Sequence, residues 1–383
     1  MQFRPARRKV WELLASAGIL FLTLVAAELL TRHVLPLPSN WDPRLLLYSE
    51  GGVIRNQPWG GYGYAPNKTM QFALVYLSDL KGPGLDREYA YRITTNSYGM
   101  VQLKDPMPGK PAILLLGDSF TEGSGATPWF YDVEKRWPAE SQYQLLNGGL
   151  FGTGFQHWTP TYRHAAATLP IRKAVILFIA HDWIRPMLPL PDETIRCIES
   201  SRNCDGSTVF YGMPDDPTAA EAELQRLARR RAAYVAKLDR EQRFVERFAL
   251  FRNLLQPGYR WLRHFREEHD PDAVNFAASR QALLDLAADI GRDNLVLLHL
   301  PQKEEVEAGS NALGLKGREV VRQAGLKLVD GFATCGITPA DFHARDGHPN
   351  ADGYRKIGMC VERVIAETWP SAAVDRGSAV TVH

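Results

Sequence analysis

Short, uninterrupted apolar runs recur along the chain and alternate with stretches of helical composition. These apolar runs are 112–116, 143–146, 174–180, 295–300 and a shorter one at 327–329. Continuous apolar runs suit strands that are buried on both faces of a parallel sheet, whereas a half-exposed strand alternates apolar and polar residues. Helical composition is clearest at 277–290 and 351–367. The alternation predicts an α/β domain built on a doubly wound parallel sheet.

One interval breaks this alternation, between the third and fourth apolar runs. It is far longer than the usual crossover between parallel strands, which predicts an insertion at about 186–272. Within it, 218–255 is helical in composition and 226–266 is strongly basic, with its densest point at "ARRR". The basic stretch is either the solvated face of a helix or a rim that attracts an anionic polysaccharide or lipid head groups.

The N-terminus joins a basic cluster to a long apolar run. Basic residues at 4–9 precede an apolar run at 10–30, which is long enough to cross a bilayer. The positive-inside rule then places the N-terminus in the cytoplasm and the rest of the chain outside. The alternative is a cleaved signal peptide, because 25–27 fits a small-residue cleavage pattern. Both interpretations place the body of the protein in an oxidising, extracytoplasmic space.

These patterns divide the chain into segments. Between 36 and 110 the sequence is rich in Gly, Pro and Tyr, which predicts short strands and turns that pack on the main domain. The predicted segments are a cytoplasmic tip and transmembrane anchor at 1–35, an elaboration at 36–110, the main domain with its insertion at 111–370, and a tail at 371–383.

Composition argues against several ligand classes. The 45 basic and 43 acidic residues leave a formal charge of +2, too small for a polyanion-binding surface unless the charge is unevenly placed, and no nucleic acid partner is expected. The four cysteines include no CxxC pair, so no structural zinc site is expected. No cofactor is expected either. Outside the cytoplasm, Cys197 and Cys204 are close enough to form a small disulfide loop. Cys335 and Cys360 either pair or remain buried thiols.

Two motifs carry chemistry. In "ILLLGDSFTEG" a buried run leads directly into Asp118-Ser119, where α/β proteins place reacting groups. The bland alternative is a glycine turn with an N-capping serine. In "RDGHPNADGY", Asp346 lies two residues before His348, and Asn350 or Asp352 can cap the helix that follows.

A second Asp-x-His pair stands nearby at Asp341 and His343. No Pro-Asn and helix follow it directly, so we expect it to lie at the surface or to cap a helix.

With these motifs in this order, the sequence resembles the SGNH/GDSL hydrolase superfamily, and within it the membrane-anchored bacterial members. The resemblance covers about 92–184 and 275–367. It implies a three-layer, flavodoxin-like α/β/α domain that performs serine esterase or O-acyl transfer chemistry without a metal. The first family block matches 117–123 and makes Ser119 the nucleophile. The second matches "NGGLFGTG" and makes Gly152 an oxyanion donor, with Asn147 structural.

Two family positions differ in this chain. The family places Asp three residues before the histidine, where this sequence has Arg345, and the resemblance assigns the role to Asp346 instead. The family motif Gly-x-Asn-Asp reads "IAHD" here, so His181 stands where an asparagine amide would donate to the oxyanion. Its imidazole N–H either replaces that amide or His181 only fills a pocket.

The resulting hypothesis is a single-pass protein of a bacterial inner membrane with a catalytic domain in the periplasm. Ser119 is the predicted nucleophile, His348 the general base and then acid, and Asp346 the group that orients the imidazole. The oxyanion hole is assigned to the N–H groups of Ser119 and Gly152, with His181. The predicted activity is that of a serine esterase or O-acyltransferase, probed best with acetyl esters, on a carbohydrate polymer or glycolipid.

Two partners follow from that hypothesis, the lipid bilayer and a multi-span membrane acyltransferase. The alternative is a catalytically degraded SGNH domain that binds polysaccharide or organises an assembly.

Overall fold

The structure is a computed structural model that describes residues 5–34, 43–78, 84–241, 248–250, 271–309 and 311–372. The chain divides into two compact units. One comprises Met1–Asp42 with Ala233–Asp270, and the other comprises Pro43–Ala232 with Pro271–His383. The predicted tail at 373–383 lies outside the described residues.

The first unit contains the long N-terminal helix α1 (Pro5–Val34). Its segment Leu14–Thr31 is long and apolar enough to cross a membrane, and almost all of it is exposed. A signal sequence has the same length and composition, so both interpretations of the N-terminus remain open.

The second unit contains the strands and the remaining named helices. The strands are β1 (Arg44–Ser49), β2 (Ile54–Asn56), β3 (Tyr62–Tyr64), β4 (Thr69–Leu77), β5 (Leu85–Thr94), β6 (Ala112–Gly117), β7 (Gln144–Gly149), β8 (Ile171–Phe178), β9 (Phe210–Met213), β10 (Leu295–His299) and β11 (Lys327–Asp330). The helices are α2 (Ser119–Glu122), α3 (Phe130–Arg136), α4 (Phe155–Ala166), α5 (Asp192–Glu199), α6 (Pro217–Glu241, which continues into the first unit), α7 (Pro271–Ile290), α8 (Lys303–Ala308), α9 (Ala312–Gln323), α10 (Gly331–Cys335) and α11 (Ala351–Thr368).

The main sheet confirms the predicted α/β class. Five strands pair in the order β11-β10-β8-β6-β7, and every pairing is parallel. Each of the five apolar runs forms one of these strands, and β6 and β10 are buried along their whole length. The order is that of flavodoxin-like sheets, in which ligands bind where the chain switches direction beside the first strand. That strand is β6.

Helices cover both faces of this sheet and complete three layers. Phe155 and Trp158 of α4, Leu283 of α7 and Val321 of α9 pack in one core, on one side of the sheet. A second core on the other side contains residues of α3 and α11, including Phe130, Val133, Ile357 and Val361. Burial of apolar side chains in two separate cores keeps the sheet rigid and holds its strand ends in place.

A second sheet forms from the elaboration and the insertion together. Its order is β5-β4-β1-β9, with β9 parallel to β1. The stretch predicted as short strands and turns contains β1 to β5, whereas β9 belongs to the segment predicted as the insertion. That segment is therefore partly a strand, because β1 offers it a free edge on which its backbone groups can pair.

The basic stretch of the insertion has a structural use in its described part. Arg231 is almost completely buried and donates to the carbonyls of Gly206 and Ser207, and Arg230 donates to the carbonyl of Cys204. The "ARRR" stretch is therefore more than the solvated face of a helix, because the guanidinium groups of Arg230 and Arg231 bind the loop at 204–207. Residues 242–247 and 251–266 of the stretch lie outside the described residues.

All four cysteines are paired in the structure. Cys197 at the end of α5 bonds to Cys204, and Cys335 of α10 bonds to Cys360 of α11. The first bridge closes the short loop expected from the sequence. The second settles the open choice for Cys335 and Cys360 in favour of pairing, and it joins two helices that are adjacent in the second core.

Candidate active site

Ser119 is presented by the tight turn that links β6 to α2. Asp118 caps the helix, because its Oδ1 accepts a hydrogen bond from the N–H of Phe120 at 2.9 Å. A Cβ at Gly117 would meet Thr121 Oγ1 at 1.9 Å and the carbonyl oxygen of Leu177 at 2.5 Å, so the turn requires glycine. The hydroxyl of Ser119 therefore lies at the carboxyl end of the first strand of the sheet.

His348 and Asp346 complete a hydrogen-bonded triad with this serine. His348 Nε2 lies 2.8 Å from Ser119 Oγ, and His348 Nδ1 lies 2.6 Å from Asp346 Oδ2. A carboxylate oxygen only accepts, so Nδ1 carries the ring proton and Nε2 is free to accept the serine proton. The loop is fixed by Asn350, whose side chain caps α11 by accepting from the N–H groups of Asp352 and Gly353.

Electrostatics favour the ion pair that catalysis needs. Burial lowers the pKa of His348, but its hydrogen bond and charge interaction with Asp346 outweigh burial, so the pKa is raised above its ordinary value. Burial raises the pKa of Asp346, and the hydrogen bonds and charge of His348, with help from Tyr89, lower it overall. Asp346 therefore stays ionised and stabilises the imidazolium.

Tyr89 and Arg345 hold the Asp346 loop, a role that no sequence pattern indicated for either residue. Tyr89 of β5 donates its hydroxyl to Asp346 Oδ2 at 2.6 Å. Arg345 pairs with Asp86 and with Glu88, and its guanidinium lies 4.6 Å from the ring centroid of Tyr76. The position where the family has its Asp thus anchors the loop to the second sheet, and the next residue reaches the histidine.

The segment that carries Gly152 is held at Phe151, whose backbone N–H and carbonyl both form hydrogen bonds to side chains. Glu122 Oε2 accepts from the N–H of Phe151 at 2.7 Å, and the hydroxyl of Tyr62 donates to the carbonyl of Phe151 at 2.6 Å. Gly152 has φ +68°, and a Cβ there would lie 2.8 Å from the Tyr62 hydroxyl oxygen. Asn147 donates to the carbonyl of Val101 and accepts from the N–H of Gly149, the structural role expected of it.

Glu122 is a buried carboxyl group directly behind the nucleophile. Its Oε1 accepts from the hydroxyls of Tyr64 and Ser124, both at 3.0 Å, in addition to its contact with Phe151. Burial raises the pKa of Glu122 to about 7, although these three donors and the charge of His348 oppose the rise. The sequence block "GDSFTEG" contained this residue, but no local pattern showed that it binds the Gly152 segment.

His181 is the exposed residue of a short turn after β8, Ala180–Trp183, whose other three residues are buried. Its Nδ1 is 2.9 Å from Gln302 Oε1, an atom that only accepts, so Nδ1 carries the proton. A neutral ring with its proton on Nδ1 has no N–H at Nε2 for an oxyanion. Among the described hydrogen bonds, none joins His181 to Ser119, Gly152 or His348.

Asp341 of the second Asp-x-His pair caps a short helix at Pro339–Asp341, one of the two expected roles, but it is buried and does not lie at the surface. Asp341 accepts from the N–H and hydroxyl of Thr338 and pairs with Lys356 at 2.6 Å. His343 Nε2 donates to the carbonyl of Gly125 at 2.9 Å, and its ring packs 4.6 Å from that of Tyr89. Among the residues that the structure describes, no three metal-ligating side chains cluster.

Fold and site together define a three-layer α/β/α domain with a Ser-His-Asp triad of the serine-hydrolase type. No family model matches the chain, and no curated protein matches it. Among solved structures it is similar to SGNH and GDSL hydrolases. A lipase/acylhydrolase from Enterococcus faecalis is 14% identical, with a TM-score of 0.34 over 67% of this chain and 96% of that chain.

Two further solved structures show the same degree of similarity. An acetylxylan esterase from Geobacillus stearothermophilus is 11% identical, with a TM-score of 0.31 over 67% of this chain and 94% of that one. An SGNH-hydrolase family esterase is 12% identical, with a TM-score of 0.30 over 69% and 100% of the two chains. Identities this low do not carry a substrate over to this chain.

Proposed function

We propose that this protein is a serine esterase or O-acyltransferase that works through an acyl-Ser119 intermediate. The observation that carries the proposal is the continuous hydrogen-bonded path from Ser119 Oγ through the His348 ring to Asp346, with distances of 2.8 and 2.6 Å. A serine hydroxyl is too weak an acid to attack an ester unaided, and a neutral imidazole at this distance can take its proton.

The geometry orders the steps. Ser119 Oγ attacks the ester carbonyl carbon while His348 Nε2 takes the hydroxyl proton, which leaves a tetrahedral oxyanion and an imidazolium beside Asp346. The N–H groups of Ser119 and Gly152 are the proposed oxyanion donors, and loss of one such donor typically costs about 10²- to 10³-fold in rate. The imidazolium then protonates the departing alcohol, and acyl-Ser119 remains.

Either of two acceptors can complete the reaction. Water, deprotonated by His348, releases the acid and makes the protein an esterase. A sugar hydroxyl in the same place receives the acyl group and makes it a transferase. We propose acetyl as the acyl group and an acylated saccharide or glycolipid as the substrate, with a multi-span membrane acyltransferase as a partner.

We further propose that the site works outside the cytoplasm, on a domain tethered to a bacterial inner membrane. The apolar segment Leu14–Thr31 of α1 and the basic residues before this segment support the tether and its orientation. Two disulfides, Cys197–Cys204 and Cys335–Cys360, support an oxidising compartment.

A fluorophosphonate probe tests the activity. The full chain in detergent should be labelled at Ser119, as read by peptide mass spectrometry, and Ser119→Ala and His348→Ala should lose both labelling and hydrolysis of a chromogenic acetyl ester. Asp346→Asn should lose less. Adding saccharide acceptors then separates transfer from hydrolysis. Saccharide binding without any labelling would instead favour a degraded, polysaccharide-binding domain.

A further inference from the structure

Arg185 links three neighbouring strand ends around the nucleophile. Its Nη1 donates to Asp118 Oδ2 at 2.8 Å, to Asp182 Oδ1 at 2.6 Å and to the carbonyl of Thr153 at 3.0 Å. Asp118 follows β6, Thr153 follows β7 and Asp182 follows β8. One guanidinium nitrogen therefore holds the loops after the three strands that meet at the direction switch of the sheet.

Two of these loops carry the proposed oxyanion donors. Asp118 directly precedes Ser119, and its Oδ2, the atom that Arg185 binds, lies 3.4 Å from Ser119 Oγ. Thr153 directly follows Gly152. Because Arg185 is bonded to both Asp118 and Thr153, it fixes the distance between the N–H groups of Ser119 and Gly152. These two N–H groups must point at one oxygen atom, the oxyanion.

The charges around Arg185 give it a second effect. The side chains of Asp118 and Asp182 are fully buried, and that of Arg185 is 28% exposed. Asp182 is itself held by the N–H of Ile179 at 2.8 Å. Without a cation between them, a buried carboxylate next to Ser119 would repel the oxyanion that forms on the attacked carbonyl group.

We propose that Arg185 is a positioning residue of the oxyanion hole, which sets the Ser119 and Gly152 segments against each other and neutralises Asp118 as the oxyanion forms. This inference rests on the proposed function, because it assigns Arg185 to the acylation of Ser119.

The test compares rates with affinity and stability. Arg185→Gln should lower kcat for an acetyl ester and the rate of fluorophosphonate labelling by about 10²-fold, with KM within about threefold of wild type, since the loss falls on the transition state. Fluorophosphonate is informative because Ser119 Oγ bonds to phosphorus as fluoride leaves, and the phosphoryl oxygen then occupies the oxyanion hole. Arg185→Lys, which keeps the charge, should recover about tenfold.

Two further variants separate positioning from folding. Arg163→Gln is the matched control, because Arg163 is exposed and pairs only with Asp289 among the described ion pairs; it should leave both rates unchanged. Arg185→Gln leaves two buried carboxylates, Asp118 and Asp182, without their cation. Adding Asp182→Asn removes one of them, which should restore part of the thermal stability but not kcat.

Three outcomes would refute the role proposed for Arg185. If Ser119 of the wild type is labelled and folded Arg185→Gln is labelled as fast, the role of Arg185 is refuted while the proposed function stands. Full recovery of kcat in the double variant would also refute it, because the effect would then be one of folding. If wild-type Ser119 is not labelled at all, the proposed function fails and takes this inference with it.

Discussion

Tyr89 donates its hydroxyl to the same oxygen of Asp346 that receives His348 Nδ1, and both distances are 2.6 Å. Tyr89 lies on β5, in the second sheet, 257 residues before Asp346. The stretch before the main domain therefore contributes to the candidate active site, because Tyr89 donates to the carboxylate that contacts His348.

Removing that donor should impair catalysis without removing the triad. We expect Tyr89→Phe to lower kcat/KM by about tenfold, the scale of one hydrogen bond to a charged group, with KM little changed. Tyr98→Phe is the control, because the ring of Tyr98 is 41% exposed. Steady-state kinetics on an acetyl ester measure both variants, and equal rates for Tyr89→Phe and wild type would show that the Tyr89 hydroxyl does not help to orient Asp346.

The acid limb of the pH–activity profile should have its midpoint above the ordinary pKa of histidine. His348 must be neutral to accept the serine proton, and its pKa is raised above 6.5 because Asp346 outweighs burial. Activity should therefore fall as the pH drops through a midpoint above 6.5. In Asp346→Asn, burial still lowers the pKa of His348 but the carboxylate no longer raises it. The midpoint should therefore move to lower pH. A profile of kcat/KM from about pH 5 to about pH 9 checks both directions.

Glu122 should make the free energy of unfolding depend on pH. The pKa of Glu122 is about 7 in the folded chain, against an ordinary value of 4.5. Between these two pH values, the folded chain therefore binds a proton that the unfolded chain has lost. Stability then falls as the pH rises through this window, by at most about 3 kcal/mol. In Glu122→Gln this contribution is absent.

Denaturant unfolding of both proteins at about pH 5 and about pH 8 measures the effect. Wild type should lose stability relative to Glu122→Gln at the higher pH. A difference between the two proteins that is the same at both pH values would mean that Glu122 does not titrate in this range.

The sequence predicted those parts of the molecule that leave a local pattern. Apolar runs showed every strand of the main sheet, and short motifs showed Ser119 and His348. Tyr89, Glu122 and Arg185 left no such pattern, because each acts on an atom from a distant segment and their residue types are common. The sequence placed Asp346 next to His348 only by resemblance, and the structure shows that it contacts the imidazole while Arg345 pairs with Asp86 and Glu88 of β5.

The disulfide that joins α10 to α11 should stabilise the domain. Cys335 and Cys360 close a loop with a sequence separation of 25, which on a chain-entropy basis corresponds to about 3 kcal/mol. The double variant Cys335→Ala with Cys360→Ala should lose stability of this order while its triad stays intact. Intact-mass analysis of wild type after alkylation without reductant should show no alkylated thiol, and alkylation at any of the four cysteines would show that its bridge does not form.

His181 is the residue for which sequence and structure suggest opposite outcomes. The family position predicts an oxyanion donor, so that His181→Ala would lower the acylation rate by about 10²-fold and His181→Asn would recover it. The contact of Nδ1 with Gln302 Oε1 at 2.9 Å instead leaves a neutral ring with no donor at Nε2. We therefore expect both variants to acylate within about threefold of wild type, as measured by the rate of fluorophosphonate labelling. A hundredfold loss in alanine that asparagine reverses would restore His181 to the oxyanion hole, and would require its ring to leave Gln302 when substrate binds.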